Sequence, residues 1–286
     1  QEFTYGKAQN LRANEFKRNG YTFLGWSTNS GANTATYANK QSVNNLSSAV
    51  NGEVTLYAIW KANVYTITLK TNYSSMIGNG GSPTLNTPTT LYVRFGDRNF
   101  YRTRSGNSQT DYTLSNVVTP VISNLTGYTF SGWALDGTLI TNNQGGLSAN
   151  WNRYNSSTYT LTAQYSANNQ TLTITYNDFA GGDGFGGTTA TTVTVRRGDD
   201  SSTQTLSYGG RVTVSHAYSN KAITITIMRN TTSRDYYLAL DAVPTESSSR
   251  NTVSFSWTPT ANDSRNVVVR EIYDITLSVN SATTAE

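Results

Sequence analysis

The residues with most to offer chemically form one run in the second quarter of the chain, Arg94-Phe-Gly-Asp-Arg-Asn-Phe-Tyr-Arg-Thr-Arg104. If the run folds as a hairpin, Arg98, Phe100, Arg102 and Arg104 share one face, because alternate strand residues project the same way. Guanidinium groups interleaved with aromatic rings bind anionic polymers by stacking and bidentate hydrogen bonds, and Tyr101 adds a further ring. A solvated hairpin whose arginine stems shield Phe100 explains the same residues without a ligand, and it is the expectation where the two compete. A second candidate is Arg197-Gly198-Asp199, a tripeptide known for integrin recognition, between strands expected at 191–196 and 203–208. A hairpin tip would present it, although Gly-Asp is also an ordinary turn pair.

No set of residues assembles into a catalytic constellation. Cysteine is absent and His216 is the sole histidine, so Ser-His and Cys-His nucleophilic systems have no clear assembly. His216 shares strand parity with Val212, Val214 and Tyr218, which predicts a packed or strand-end side chain. The carboxylates Asp178, Asp183, Asp199, Asp200 and Asp235 stand mostly in expected turns. The glycine run Gly181-Gly-Asp-Gly-Phe-Gly-Gly187 lacks the Gly-Lys-Ser/Thr ending of a phosphate loop, and Asp178 with Asp183 falls short of the six to eight oxygens a calcium ion takes. Lys221, the only lysine after residue 166, is a conceivable partner for a Lys–Asn isopeptide link, but a lysine at a strand entry is normally solvated. The expectation is a protein without catalysis, cofactor or metal.

Composition narrows the partners. Charged residues make up 13% of the chain and the net charge is +4, divided as +3 over 1–62, +3 over 63–166 and −2 over 167–286. That is far from the concentrated basic footprint of a nucleic-acid binder. No apolar stretch approaches the ~18 residues of a membrane span. Abundant Asn, Ser, Thr, Tyr and Gly suit short strands joined by polar turns, the profile of an all-β secreted chain. With no initiating Met and no leader pattern, the chain is expected to be a piece of a longer protein.

The elements that must position these residues repeat. Gly20-Tyr-Thr-Phe-Leu-Gly-Trp26 returns as Gly127-Tyr-Thr-Phe-Ser-Gly-Trp133, and each copy is followed by a second shared strand, Val54-Thr-Leu-Tyr-Ala-Ile-Trp60 and Tyr159-Thr-Leu-Thr-Ala-Gln-Tyr165. Period-2 alternation puts Tyr21 and Phe23 on one face, and Val54, Leu56, Ala58 and Trp60 on one face of the closing strand, leaving Tyr57 and Ile59 outward under some cover. Trp26 has the wrong parity for a straight strand, which a bulge at Gly25 would correct. A short helix around 42–49 is expected between the two strands. The second copy opens with a strand at Tyr65-Thr-Ile-Thr-Leu69, whereas the first begins at Phe3, level with the strand after it. The first copy therefore lacks its opening strand, and a sheet so shortened has an open edge.

This pair of motifs resembles the Listeria–Bacteroides repeat, the B-repeat of internalin-like surface proteins, closely from Phe3 to Trp60 and more loosely from Tyr65 to Tyr165. The resemblance implies small β-grasp-like modules strung in series on extracellular bacterial proteins, in adhesins and stalks. From about Gln170 the motif is gone. Eight short strands expected over the remaining residues predict a β-sandwich, Ig-like in architecture only, because the Cys-Trp-Cys hallmark is missing. The fold class expected is all-β to α+β, with modules at 1–62 and 63–166, the latter carrying an inserted hairpin, and a sandwich at 167–286. The function expected is that of an adhesin stalk or spacer, secreted or anchored at the cell surface. A carbohydrate- or cell-wall-polymer-binding module, or an accessory region of an extracellular hydrolase, is the alternative. Expected partners are a host-surface or cell-wall glycan or protein, with no nucleic acid and no membrane insertion.

Overall fold

The computed structural model describes residues 1–73, 82–106, 112–176, 193–198, 203–207, 209–229, 236–240 and 252–271. The chain divides into two compact units, Gln1–Ser166 and Ala167–Glu286. Among the described residues all regular structure is β, so the α+β alternative falls away.

The strands of the first unit begin with β1 (Gln9–Asn10), β2 (Tyr21–Ser27), β3 (Ser42–Val43), β4 (Tyr57–Ala62) and β5 (Val64–Lys70). They continue with β6 (Thr84–Leu85), β7 (Thr90–Arg94), β8 (Phe100–Ser105), β9 (Thr113–Val118), β10 (Ile122–Ser123), β11 (Tyr128–Leu135), β12 (Thr138–Leu139) and β13 (Thr158–Ala167). One seven-stranded sheet runs β12-β11-β13-β5-β7-β8-β9, with β13 parallel to β5. By contrast β2 and β4 pair only with each other, and β1 pairs with β3.

Both repeated heptads bend as their glycines dictate. The pairing of β2 with β4 slips between Phe23 and Gly25, the bulge expected from the parity of Trp26. Gly25 adopts φ +144° and its counterpart Gly132 φ +138°, values that side chains rarely tolerate. A Cβ on Gly25 would strike the Tyr37 carbonyl, and one on Gly132 would lie 2.7 Å from the Thr141 carbonyl. The bulge thus serves a close backbone approach, through which Trp26 N–H donates to Tyr37 O at 2.8 Å.

Each bulge sets the same aromatic triad. Phe23 meets Trp26 at 5.0 Å and Trp60 at 5.4 Å, both edge to face. Phe130 meets Trp133 at 5.5 Å and Tyr165 at 6.2 Å in the same manner. Only the second triad has its Phe and Trp buried, with Tyr165 half-buried as Trp60 is. Phe130 and Trp133 are buried with Ile67 and Leu69 from β5 and Leu91 and Val93 from β7, and the Trp133 indole N–H donates to Pro120 O at 2.6 Å. In the first module Phe23, Trp26 and Trp60 are half-buried, and Trp26 Nε1 is enclosed with no hydrogen-bond partner.

Several expectations for the first module are corrected. The stretch 42–49 is not helical: Ser42 and Val43 pair with β1, and Asn45 takes φ +53°, which breaks a right-handed turn. Leu56, Ala58 and Trp60 are only half-buried and Val54 is exposed, while Ile59 is the buried residue of the closing strand. The face expected to be the core is only partly covered. Phe3 lies outside any strand. Within the first unit the segments before and after residue 62 meet where Asn63 N–H donates to Gly20 O and Phe95 N–H to Asn63 O, both at 2.9 Å, with Tyr21 edge-on to Phe95.

The second unit contains β14 (Asn169–Tyr176), β15 (Val193–Arg197), β16 (Thr203–Leu206), β17 (Arg211–Ala217), β18 (Ile223–Arg229), β19 (Tyr236–Leu240), β20 (Thr252–Trp257) and β21 (Asp263–Glu271). They form two four-stranded sheets, β17-β14-β21-β19 and β16-β15-β18-β20. Their inner faces supply one core of Leu172, Ile174, Tyr176, Val193, Val195, Ile225, Ile227, Val253, Trp257 and Val267. Strict alternation along β14 and β18 places these residues inward, which makes the unit a β-sandwich of eight described strands.

Candidate functional site

The arginine run does form a hairpin, β8 with β9, at the edge of the seven-stranded sheet. Its residues do not share one free face. Phe100 is 1% exposed in the core of the module, so burial removes it from the expected contact surface. Apolar area at the root of the hairpin is worth more against β7 than in water. Arg98 donates from Nε to Leu147 O at 3.1 Å and from Nη2 to Ser148 O at 2.7 Å, tying the 147–148 loop to the hairpin base. Arg102 Nη2 reaches Asn86 O at 3.3 Å. Arg104 lies between two rings, its Cζ 4.9 Å from the centre of Tyr92 and 4.2 Å from that of Tyr112.

Tyr101 pairs across from Tyr92 and donates its hydroxyl to Asp97 Oδ2 at 2.7 Å. Burial, helped by the acceptor Asp97, raises its pKa above the usual phenol value. Arg98 is thus a strut, while Arg102 and Arg104 are exposed cations, the first on one carbonyl and the second beside two rings. Tyr92, Tyr112 and the acceptor carbonyls were missing from the sequence reading. Tyr92 was legible as the strand partner of the hairpin, whereas a carbonyl acceptor leaves no trace in residue type.

In the second unit Arg197 ends β15, and its Nη1 donates to Ser215 O at 2.8 Å, reaching a strand of the opposite sheet. Gly198 N–H donates to Thr224 O at 2.7 Å. The strands flanking the tripeptide pair as expected, but Asp199 lies outside the described residues, as do Asp178, Asp183 and the glycine run 181–187. What is described of the tripeptide serves the sandwich. His216 sets Nδ1 2.6 Å from its neighbour's Ala217 O. Among the described residues no three His, Asp or Glu side chains converge on a common point, and no helix is long and apolar enough to cross a membrane.

Clefts open among the described residues of the first unit. One, of about 290 Å³, is polar and is lined by Asn63, Tyr65, Tyr154, Asn155 and Ser156. Another, of about 550 Å³, is lined by Leu11, Arg12, Phe16, Trp26 and Leu56 beside the unsealed triad.

Residues 1–59 match the Listeria-Bacteroides repeat domain. The Listeria-Bacteroides repeat therefore ends at β4, in agreement with the span read from its motifs, and its aromatic triad recurs in residues 128–165. No curated protein matches the chain. Among solved structures, a bacterial adhesin from Mobiluncus mulieris containing intramolecular disulfide, isopeptide and ester bond cross-links aligns in two crystal forms. One gives 13% identity over 68% of this chain and 61% of that one, with a TM-score of 0.29. The other gives 12% over 77% and 67%, with a TM-score of 0.31. A pilus-presented adhesin aligns at 14% identity over 46% of this chain and 34% of its own, with a TM-score of 0.23. The chain spans less than two thirds of the first adhesin form, and scores of this size do not define a shared fold.

Proposed function

We propose that this chain is a non-catalytic segment of a bacterial secreted or cell-surface protein, working as an adhesin stalk or spacer. The observation that carries the reading is the Listeria-Bacteroides repeat at 1–59 with its bulge and triad built a second time in the same unit. Duplicated modules that spend their aromatic residues on packing extend a chain; they do not shape a reaction centre. The division at about residue 62, with a second, divergent repeat of β-grasp type at 63–166, belongs to this proposal. The arginines support it too, since Arg98 and Arg197 are committed to internal carbonyls.

The alternative, a glycan- or cell-wall-polymer-binding module, rests on the exposed Arg102 and Arg104 beside Tyr101. A cell-wall and host-glycan array probed at low salt separates the two. The spacer reading expects no saturable binding. Binding that weakens steeply with salt and is lost in an Arg102→Gln/Arg104→Gln variant transfers the function to the hairpin, because exposed charge contacts are screened by ions.

A further inference from the structure

We propose that Asn63 is a locking joint, which couples residues 1–62 to residues 63–166 so that the two repeats hold or yield as one body and the chain does not hinge between them. Asn63 stands alone between β4 and β5. Its N–H donates to Gly20 O and its carbonyl accepts from Phe95 N–H, both at 2.9 Å. Its side-chain Oδ1 accepts from Thr22 Oγ1 at 2.6 Å. One residue is thus bonded to the entry of β2 and to the residue that follows β7. A hinge needs residues free to change φ and ψ, and a one-residue link bonded through N–H, carbonyl and side chain leaves none.

Packing closes around that residue. Gly20 is buried at φ +79°, and a Cβ there would strike the Phe95 ring, so the ring lies against bare backbone. Phe95 meets Tyr21 edge to face at 5.4 Å and Tyr154 at 6.2 Å. Arg18 Cζ sits 3.8 Å over the Tyr21 ring, and Asn19 Nδ2 donates to the Tyr154 hydroxyl at 3.1 Å. Asn19, Gly20 and Tyr21 all reach across residue 62 into the later segment. Where repeats meet through such contacts, each draws part of its stability from its neighbour.

The link is built twice. Ala62-Asn63 returns as Ala167-Asn168, followed by Thr171-Leu-Thr-Ile174 where the first has Thr66-Ile-Thr-Leu69. Asn168 is the single residue between β13 and β14, and its carbonyl accepts from Tyr218 N–H at 2.8 Å. Tyr218 follows β17, the antiparallel partner of β14, as Phe95 follows β7, the antiparallel partner of β5. The second unit is a sandwich without the heptad, so the Ala-Asn bond belongs to the link and not to the repeat fold. The joint deepens the stalk reading and rests on its division near residue 62.

The test is native-state hydrogen exchange on the full chain. Ile59→Val removes one methylene at a buried position of β4 and should speed the slowest amides of β2 and β4 by about two- to tenfold. If the joint couples the segments, the slowest amides of β5 and β7 quicken by the same factor, since neither segment then opens without the other. Quickening confined to 1–62 overturns the proposal. Gly-Ser-Gly inserted between Ala62 and Asn63 should release the coupling and leave the Ile59→Val effect in 1–62 alone. Asn63→Ala, which gives up only the Thr22 contact, should reduce the effect in 63–166 without removing it. A full effect in 63–166 in whichever of the two variants folds would place the coupling in the Phe95 contacts and overturn the role of Asn63. Glycan binding lost in the Arg102/Arg104 variant would overturn the stalk reading while the shared exchange stands.

Discussion

Trp26 and Trp133 occupy the same position of the same heptad and differ in what surrounds them. Trp133→Phe deletes a buried N–H and orphans the Pro120 carbonyl, a loss of about 1–3 kcal/mol for the unsatisfied group. Trp26→Phe deletes an N–H that has no partner, so it should destabilise the first unit by at least about 1 kcal/mol less in urea titrations. Equal losses would mean that the two sites are equally sealed. Tyr165 offers a pH test. Burial, with a smaller contribution from Tyr73, pushes its pKa far above the usual phenol value, and its hydroxyl donates to Thr71 O. A phenol raised on folding contributes stability that is complete below its unfolded pKa of about 10 and is lost as pH rises past it. The melting temperature of the first unit should hold steady to about pH 9 and fall above about pH 10, and Tyr165→Phe should flatten that fall. The variant should lose about 1 kcal/mol at neutral pH with its hydrogen bond.

The bulged strand is the element on which the repeat depends. Gly25→Ala and Gly132→Ala each force a side chain into a glycine-favoured conformation against a carbonyl. Each should cost about 1–3 kcal/mol by thermal denaturation, and a loss within about 0.5 kcal/mol at either site would show that the strand can straighten. The hairpin of β8 and β9 divides its arginines in the same way. Arg98→Gln gives up two carbonyl contacts and should destabilise by about 1 kcal/mol, whereas Arg102→Gln and Arg104→Gln should each stay within about 0.5 kcal/mol. A stability cost concentrated at Arg104 instead would make its ring contacts the anchor of the hairpin. The hairpin itself was legible from alternation, but the burial of Phe100 was not, because β8 offers a single aliphatic or phenyl side chain among polar ones and no sign of which sheet face is covered.

Across the whole molecule every lysine amine is within reach of water: Lys7, Lys17, Lys40, Lys70 and Lys221 are exposed and Lys61 is half-buried. An isopeptide link needs a desolvated, neutral amine as nucleophile, so intact mass should equal that of the unmodified 31.2 kDa chain. A loss of ammonia would require a lysine to be buried at some stage of folding.

What the amino-acid sequence determined by itself is local and periodic. The heptad marks the repeat, the glycine before each tryptophan marks the bulge, and alternation with polar turns marks the eight described strands of the sandwich. These follow from backbone sterics and a two-residue period, which act within a few positions of the chain. Tertiary structure alone decided which of two like faces is a core. Leu56 and Leu161, Phe23 and Phe130, and Trp26 and Trp133 read alike in sequence. They separate because the sheet around one set continues through β5 and β7, whose side chains share its core, whereas β2 and β4 pair as a two-stranded sheet whose apolar residues stay half-buried. The uses of Arg98 and Arg197 were settled at the same level, since a guanidinium's partner here is a main-chain carbonyl brought near by the fold, and every residue carries one.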